Sequence, residues 1–158
     1  MELVKITNKN VWDITKLKVH EDQTDYVASN GYSIIEAYAT RESGYTALPF
    51  GLYEDGKPVG FVMIGYGSIG DEEEPIVAKD SYCLWRFMID KDYQRKGLGK
   101  RAMEAVMKYI NSFPCGKANY CWLSYEPENV VAKALYRKYG FEETGEMDGE
   151  EIVAVCVL

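Results

Sequence analysis

One stretch constrains this chain more than any other: "LWRFMIDKDYQRKGLGKRAMEAV", from Leu84 to Val106. An apolar run long enough for a strand buried on both faces gives way to a polar loop with two glycines. An amphipathic helix pattern follows at once. Leu98, Ala102, Ala105, Val106, Tyr109 and Ile110 fall on one face, and Lys100, Arg101, Glu104 and Lys108 lie away from it. The helix is expected to open near Lys96. A strand feeding a helix through a glycine loop is an α/β element, in which the helix packs back on the sheet. It also prepares an anion site. The first helical turn leaves backbone N–H groups without partners, and the helix dipole is positive there. Gly97 and Gly99 let a bulky anion approach the backbone, and Arg95, Lys96, Lys100 and Arg101 add positive charge. Together these suit a diphosphate, although a flexible basic turn with solvated charges has the same local sequence.

The flanking segments place this element in a mixed sheet. "ELVKIT" alternates as a strand. "NKNVWDITKLKV" carries Val11, Ile14, Leu17 and Lys18 at helical spacing, with Asn8 or Asn10 available as a cap. "SNGYSIIEAYATR" reads as a second helix opening at Ser29 or Asn30. "ALPFGLYEDGKPVGFVMIGYG" is a hairpin turning at "EDGK". "SIGDEEEPIVAKD" reads as an acidic loop, and "SYCLWRFMID" as a central strand. "FPCGK" ends the amphipathic helix. "ANYCWLSY" is a further strand and "NVVAKALYRKY" a short helix stopped by Gly140. "GFEETGE" and "EEIVAVCVL" close the chain as a hairpin through "MDGE". No repeat, linker or low-complexity run interrupts these elements, so one domain over residues 1–158 is expected.

Composition excludes several function classes. The formal net charge of −7 speaks against a general nucleic-acid binder and favours small cationic partners, or simply solubility. No apolar run approaches a membrane span, and "MELVKITNKNVWD" lacks a signal-peptide core, so a cytoplasmic protein is expected. Four cysteines without a CxxC pair read as reduced, mostly buried thiols. With one histidine, His20, a histidine metal cluster is not expected.

The glycine loop is neither a Walker loop nor GxGxxG, since Ala102 stands three residues after Gly99. Gln94-Arg95-Lys96-Gly97-Leu98-Gly99 does match Q-x-x-G-x-G. Downstream, Asn129, Ala132, Leu135, Tyr136, Gly140 and Phe141 match N-x-x-A-x-x-L-Y-x-x-x-G-F. This ordered pair of motifs resembles the acetyl-CoA signatures of the GNAT superfamily of N-acetyltransferases, and the resemblance spans nearly the whole chain. It implies the family's α/β (α+β) fold, a mixed, mostly antiparallel sheet splayed at its central strands. It implies acetyl-CoA as cofactor, with the pantetheine arm along Phe87, Met88 and Ile89. Arg95, Lys96, Gly97, Leu98, Gly99 and Lys100 would cradle the pyrophosphate, and Gln94 would belong to the same cofactor site. Asn129, Ala132, Lys133 and Tyr136 would contact the cofactor from the second motif. Asn129 is equally suited to cap its helix. Tyr136 matches the family's proton donor to the leaving thiolate. A phenol has a pKa of about 10 and can donate at neutral pH. A core aromatic is the plainer role for it.

Three further segments, "YVASNGYSIIEAY", "YCLWRFMID" and "GEEIVAVCVL", resemble bacterial diamine and polyamine N-acetyltransferases acting on spermine and spermidine. The acceptor would be an amine, attacked directly in a ternary complex. Its binding residues would include Glu21, Asn30, Tyr32, Glu36 and Trp85, with Asp22 and Asp25 as further carboxylates for ammonium groups. A solvated acidic helix face accounts for each of those carboxylates as well. Some polyamine acetyltransferases carry a glutamate base where Trp85 stands here. Proton removal would then pass through ordered water to backbone carbonyls, Glu36 or Glu21, and Trp85 becomes a pocket wall or core. The run Asp71 to Glu74 is a solvated loop or a polycation lure. Another amine (an aminoglycoside, an amino acid or a protein N-terminus) and a non-catalytic CoA sensor are the competing readings. The family commonly dimerises, so a homodimer is part of what the resemblance implies.

Overall fold

The computed structural model describes residues 1–71 and 74–158; Glu72 and Glu73, the middle of the acidic run, lie outside the described residues. The chain lays down β1 (Glu2–Lys5), α1 (Val11–Lys16), α2 (Asn30–Glu42), β2 (Thr46–Glu54) and β3 (Lys57–Tyr66). Then come β4 (Tyr82–Ile89), α3 (Leu98–Ile110), β5 (Tyr120–Tyr125), α4 (Val130–Arg137), β6 (Glu142–Asp148) and β7 (Glu151–Val157). Among the described residues, seven strands form one sheet in the order β1-β2-β3-β4-β5-β7-β6. Every neighbouring pair is antiparallel except β4 and β5. This is the mixed, mostly antiparallel sheet the motifs implied. Among the described residues no helix is long and apolar enough to cross a membrane.

The β2–β3 hairpin turns where the sequence says it should. Asp55 (φ 50°) and Gly56 (φ 74°) are both left-handed, as a two-residue hairpin turn requires. Along β3 the side chains alternate between two cores. Val62 and Ile64 join Leu98, Ala102, Met103, Val106 and Ile110 of α3 on one face. Phe61 and Met63 join Ile14 and Ala37 on the α1–α2 face. Each such buried side chain stabilises by roughly 1.5–3 kcal/mol relative to exposure, so the sheet is clamped from both sides.

The central strand β4 behaves differently at its two ends. It pairs with β5 at Tyr82↔Cys121 and Cys83↔Trp122, and there the pairing stops. On the other side it keeps pairing with β3 as far as Gly60↔Ile89. A Cβ on Gly60 would run into the Met88 carbonyl oxygen, so glycine is needed for this close approach. A bulge near Ile64 leaves Trp85 as the extra residue of β4 and bends the strand away from β5. The sequence reads β4 as buried on both faces. In the structure Trp85, Arg86 and Phe87 are only half-buried, because they border the gap that this bend opens.

Several local expectations shift. Helix α1 stops at Lys16, and Leu17 is already extended (φ −63°, ψ 136°). Lys18, read as part of the helical stripe, instead donates its backbone N–H to Asp90 Oδ2 at 2.8 Å. Asn10 occupies the cap position but makes no side-chain cap. Its Oδ1 accepts from the Thr7 N–H at 2.8 Å and its Nδ2 donates to the Lys5 carbonyl at 3.1 Å, tying β1 to α1. Ser29 does cap α2, its Oγ accepting from the Tyr32 N–H at 3.3 Å. Helix α3 opens at Leu98 rather than near Lys96, since Arg95 (φ 59°) and Gly97 (φ 75°) are left-handed and cannot be helical. The acidic loop contains a short 3-10 turn, Ile76–Asp80. Cys83, Cys121 and Cys156 are buried thiols and Cys115 is half-buried.

Candidate functional site

A cavity of about 470 Å³ occupies the gap between β4 and β5. Three structures wall it. The first is the open half of β4, from Leu84 to Ile89. The second is the turn into α3, through Gln94, Arg95 and Gly99, with Asn129, Ala132, Leu135 and Tyr136 of α4 beside it. The third is made of Asp25 to Ala28 from the α1–α2 connection, and Ser124, Tyr125 and Glu151 from β5 and β7.

The fold thus gathers Phe87, Met88, Ile89, Gln94, Arg95, Gly99, Asn129, Ala132, Tyr136 and Trp85 around one space. Other residues singled out in the sequence sit elsewhere. Leu98 is buried in the α3 core. Lys96 donates to the Asp92 carbonyl at 2.7 Å and lies over the Tyr93 ring at 5.5 Å. Lys100 pairs with Glu104 at 3.8 Å, Arg101 with Glu54 at 2.8 Å and Lys133 with Glu143 at 2.6 Å. Of the basic cluster, only Arg95 lines the cavity. Gly97 is exposed at the turn, its φ of 75° setting the path of the chain into α3.

The residues expected to bind the amine are more dispersed. Asn30 is 2% exposed, donating to the Ile14 carbonyl at 2.9 Å and touching Met88 Sδ at 3.9 Å. Glu21 and Asn30 border a second hollow behind the α1–α2 connection. Tyr32 is 60% exposed and lines neither space. Glu36 pairs with Arg86 at 3.2 Å, and Arg86 also covers the Trp85 ring at 5.8 Å.

The donor-side geometry fits an acyl-CoA. A strand edge without a neighbour offers backbone groups to an extended amide-bearing chain. Left-handed residues at Arg95 and Gly97, just before an α-helix, form the kind of turn whose successive N–H groups converge on a phosphate. Asn129 Oδ1 accepts from the Ala132 N–H at 3.2 Å, so this residue does cap α4.

Tyr136 and Tyr125 lie side by side, their ring centroids 5.8 Å apart, yet their hydroxyls differ. Tyr125 donates to Glu143 at 2.7 Å, and burial, then this carboxylate, push its pKa up to about 12. Tyr136 is 8% exposed, and its hydroxyl makes no hydrogen bond among the described residues. Burial raises the Tyr136 pKa above the ordinary phenol value, with the Glu151 charge and Tyr125 adding to the effect. A raised phenol pKa means the proton is held, so Tyr136 is a donor with no competing acceptor.

The sequence reading missed one group of residues. Ser124 Oγ lies within hydrogen-bonding range of the Glu151 carboxylate and, at 3.2 Å, of Asp148. Glu126 has a raised pKa, first from burial, then from the charges of Glu151, Glu128, Glu150 and Asp25. Glu151 opens β7, but nothing in "GEEIVAVCVL" says that this residue lies near Tyr136. Gln23 carried no sequence signal at all.

Residues 11–141 match the acetyltransferase (GNAT) family. The chain is 34% identical over 150 residues to the "Probable spermine N(1)-acetyltransferase" of Bacillus subtilis subsp. natto, covering 94% of this chain and 93% of the relative. It is 33% identical, with the same coverage, to the spermine/spermidine N(1)-acetyltransferase of Bacillus subtilis strain 168. Among solved structures it resembles the PaiA N-acetyltransferase of Thermoplasma acidophilum in complex with coenzyme A. The TM-score is 0.69 at 16% identity, over 99% of this chain and 98% of that one.

Proposed function

The chain belongs to the acetyltransferase (GNAT) family, and from that premise we propose that it acetylates a primary amine of a polyamine or diamine such as spermidine. It is an acyltransferase whose acetyl donor is acetyl-CoA, the cofactor of its family. The observation that carries the polyamine reading is that Asp25 and Glu151 both line the cavity, with Glu126 close enough to feel their charges. Burial first, and then the neighbouring carboxylates, penalise the Glu126 charge, and a polyammonium chain relieves that repulsion while gaining charge-assisted hydrogen bonds. The likeness to named spermine/spermidine acetyltransferases supports the same substrate.

Acetyl-CoA supplies the acetyl group as a thioester. The open edge of β4 holds the extended pantetheine, and Arg95 with the turn into α3 holds the diphosphate. Backbone N–H groups near Met88 and Ile89 face the developing oxyanion. Tyr136 Oη gives its proton to the departing sulfur. The amine must be uncharged to attack. Trp85 leaves no carboxylate on β4 at its position, and Glu151, beside Tyr136, offers the alternative. Its carboxylate holds the ammonium and passes the proton to solvent. Because the donor wall and the carboxylates share one cavity, attack in a ternary complex needs no covalent enzyme intermediate.

Incubation with acetyl-CoA and an amine panel, followed by free-thiol release, tests this. Turnover of spermidine, spermine or diaminobutane well above monoamines, amino acids and aminoglycosides is the expected result. Turnover restricted to those other amines, or none, would sink the polyamine reading.

A further inference from the structure

The connection between α1 and α2 walls two spaces at once. Val19, Val27 and Ala28 border both the main cavity and the hollow behind it. Its position therefore sets the shape of the acceptor side. Two of its attachments lead to the residues that flank the anion turn. At its start, the Lys18 N–H donates to Asp90 Oδ2 at 2.8 Å and the Lys91 N–H donates to the Lys18 carbonyl at 2.8 Å. Asp90 is 7% exposed, and its other oxygen accepts from the Asp92 N–H at 3.0 Å. Midway, Gln23 and Gln94 form a reciprocal amide pair. Gln94 Nε2 donates to Gln23 Oε1 at 2.7 Å, and Gln23 Nε2 donates to Gln94 Oε1 at 3.2 Å.

Gln94 has a third contact: its Nε2 donates to the Ile89 carbonyl at 3.0 Å. A carbonyl accepts only from nitrogen, so this bond fixes which end of the Gln94 amide is which. It also accounts for both Nε2 hydrogens, one on Ile89 and one on Gln23. The side chain of the first residue of Q-x-x-G-x-G has no donor left for a phosphate. It joins the end of β4, the anion turn and the acceptor-side connection instead.

We propose that Gln23 is a positioning residue which, through Gln94, couples cofactor binding at the turn to the ordering of residues 17–29. The coupling is reciprocal by linkage: whatever the cofactor does to fix this segment, a molecule that fixes the segment does for the cofactor. A half-buried amide pair contributes about 1 kcal/mol net. The change in CoA affinity when Gln23 is lost is therefore about fivefold. The inference rests on the CoA site and not on the identity of the amine.

The test uses the full chain with coenzyme A alone, read by amide hydrogen exchange and by titration calorimetry. In the wild type, CoA slows exchange both at residues 95–101 and at residues 17–29. In Gln23→Ala, CoA still protects 95–101, but its protection of 17–29 disappears and its Kd rises about fivefold. Gln23→Met keeps the bulk of the side chain without its amide and loses the protection as Gln23→Ala does, which a generic loss of packing would not produce. Gln94→Ala and the double variant complete a cycle in which the two losses in affinity are not additive. Should Gln94→Ala fail to fold, the Ala and Met variants at Gln23 still decide the question. Protection of 17–29 by CoA that survives Gln23→Ala, or that is absent from the wild type, overturns the proposal.

Discussion

The two sides of the cavity are built from different materials. The side where we propose acetyl-CoA binds is backbone: a strand edge that loses its neighbour after Cys83, a turn with left-handed Arg95 and Gly97, and the first turn of α3. Its parts are nearly contiguous in sequence. The other side, where we propose the amine binds, is made of side chains from three distant segments: Asp25 before α2, Ser124 near the end of β5, and Glu151 opening β7. Backbone sites need particular dihedrals, and dihedrals restrict residue type, so they leave glycine patterns. Side-chain sites need only carboxylates that happen to converge, and convergence is a property of the fold.

That contrast orders the expected effects. The donor side has few substitutes for its geometry and so is the more fragile. Gly97→Glu places a side chain at φ 75° and a negative charge where the diphosphate belongs. CoA affinity should fall by roughly a hundredfold or more, read by calorimetry. Retained affinity would show that the turn is not the cradle.

Tyr136→Phe removes a proton donor while keeping the ring between Tyr125 and Phe141. We expect kcat to drop by about 10²-fold with CoA affinity almost unchanged. The pH profile sharpens this. Burial raises the Tyr136 pKa, so the neutral, donating phenol persists past the ordinary value of about 10. Wild-type kcat should show no descending limb below that pH. A decline with an apparent pKa near 8 would point to a different acid.

Glu151→Gln probes the other wall. It keeps the shape and a hydrogen bond for Ser124 but removes one charge from the group that crowds Glu126. The kcat/KM for spermidine should fall by roughly tenfold, while CoA binding holds. An equal loss for CoA would blur the division between the two sides.

The same division explains what the sequence disclosed. Q-x-x-G-x-G and N-x-x-A-x-x-L-Y placed the turn, the cap at Asn129 and Tyr136 beside one cavity, because each depends on local backbone or helical spacing. The mixed, mostly antiparallel character of the sheet was implied by the resemblance those motifs carry. The start of α3 was misplaced by two residues, since the propensities of Lys96 do not reveal that its neighbours are left-handed. Asn30 was read toward the acceptor, but its amide is used by the Ile14 carbonyl sixteen residues away. Gln23, Ser124 and Glu151 were invisible as site residues. No spacing rule links β7 to β5, and their proximity comes from the register Tyr125↔Ile152.

The smallest effect should appear where the two sides are stitched together. Lys133 of α4 pairs with Glu143 of β6, and Glu143 also accepts from Tyr125 of β5. These partners, Lys133 first and then Tyr125, hold the Glu143 carboxyl below its ordinary pKa. A lowered folded-state pKa favours the charged form in the native protein. Its stabilisation is complete above the unfolded value and is lost as pH falls through the folded one. Glu143→Gln should therefore lower the melting temperature by no more than about 2 °C near neutral pH, because the pair is open to solvent. Below the folded pKa the wild type and the variant should melt together. Since α4 also carries Tyr136, a small loss of kcat should accompany the neutral-pH shift. A variant whose kcat is untouched while its melting point falls would show that α4 is held in place by its core contacts alone, with Tyr136 aligned independently of the acidic side.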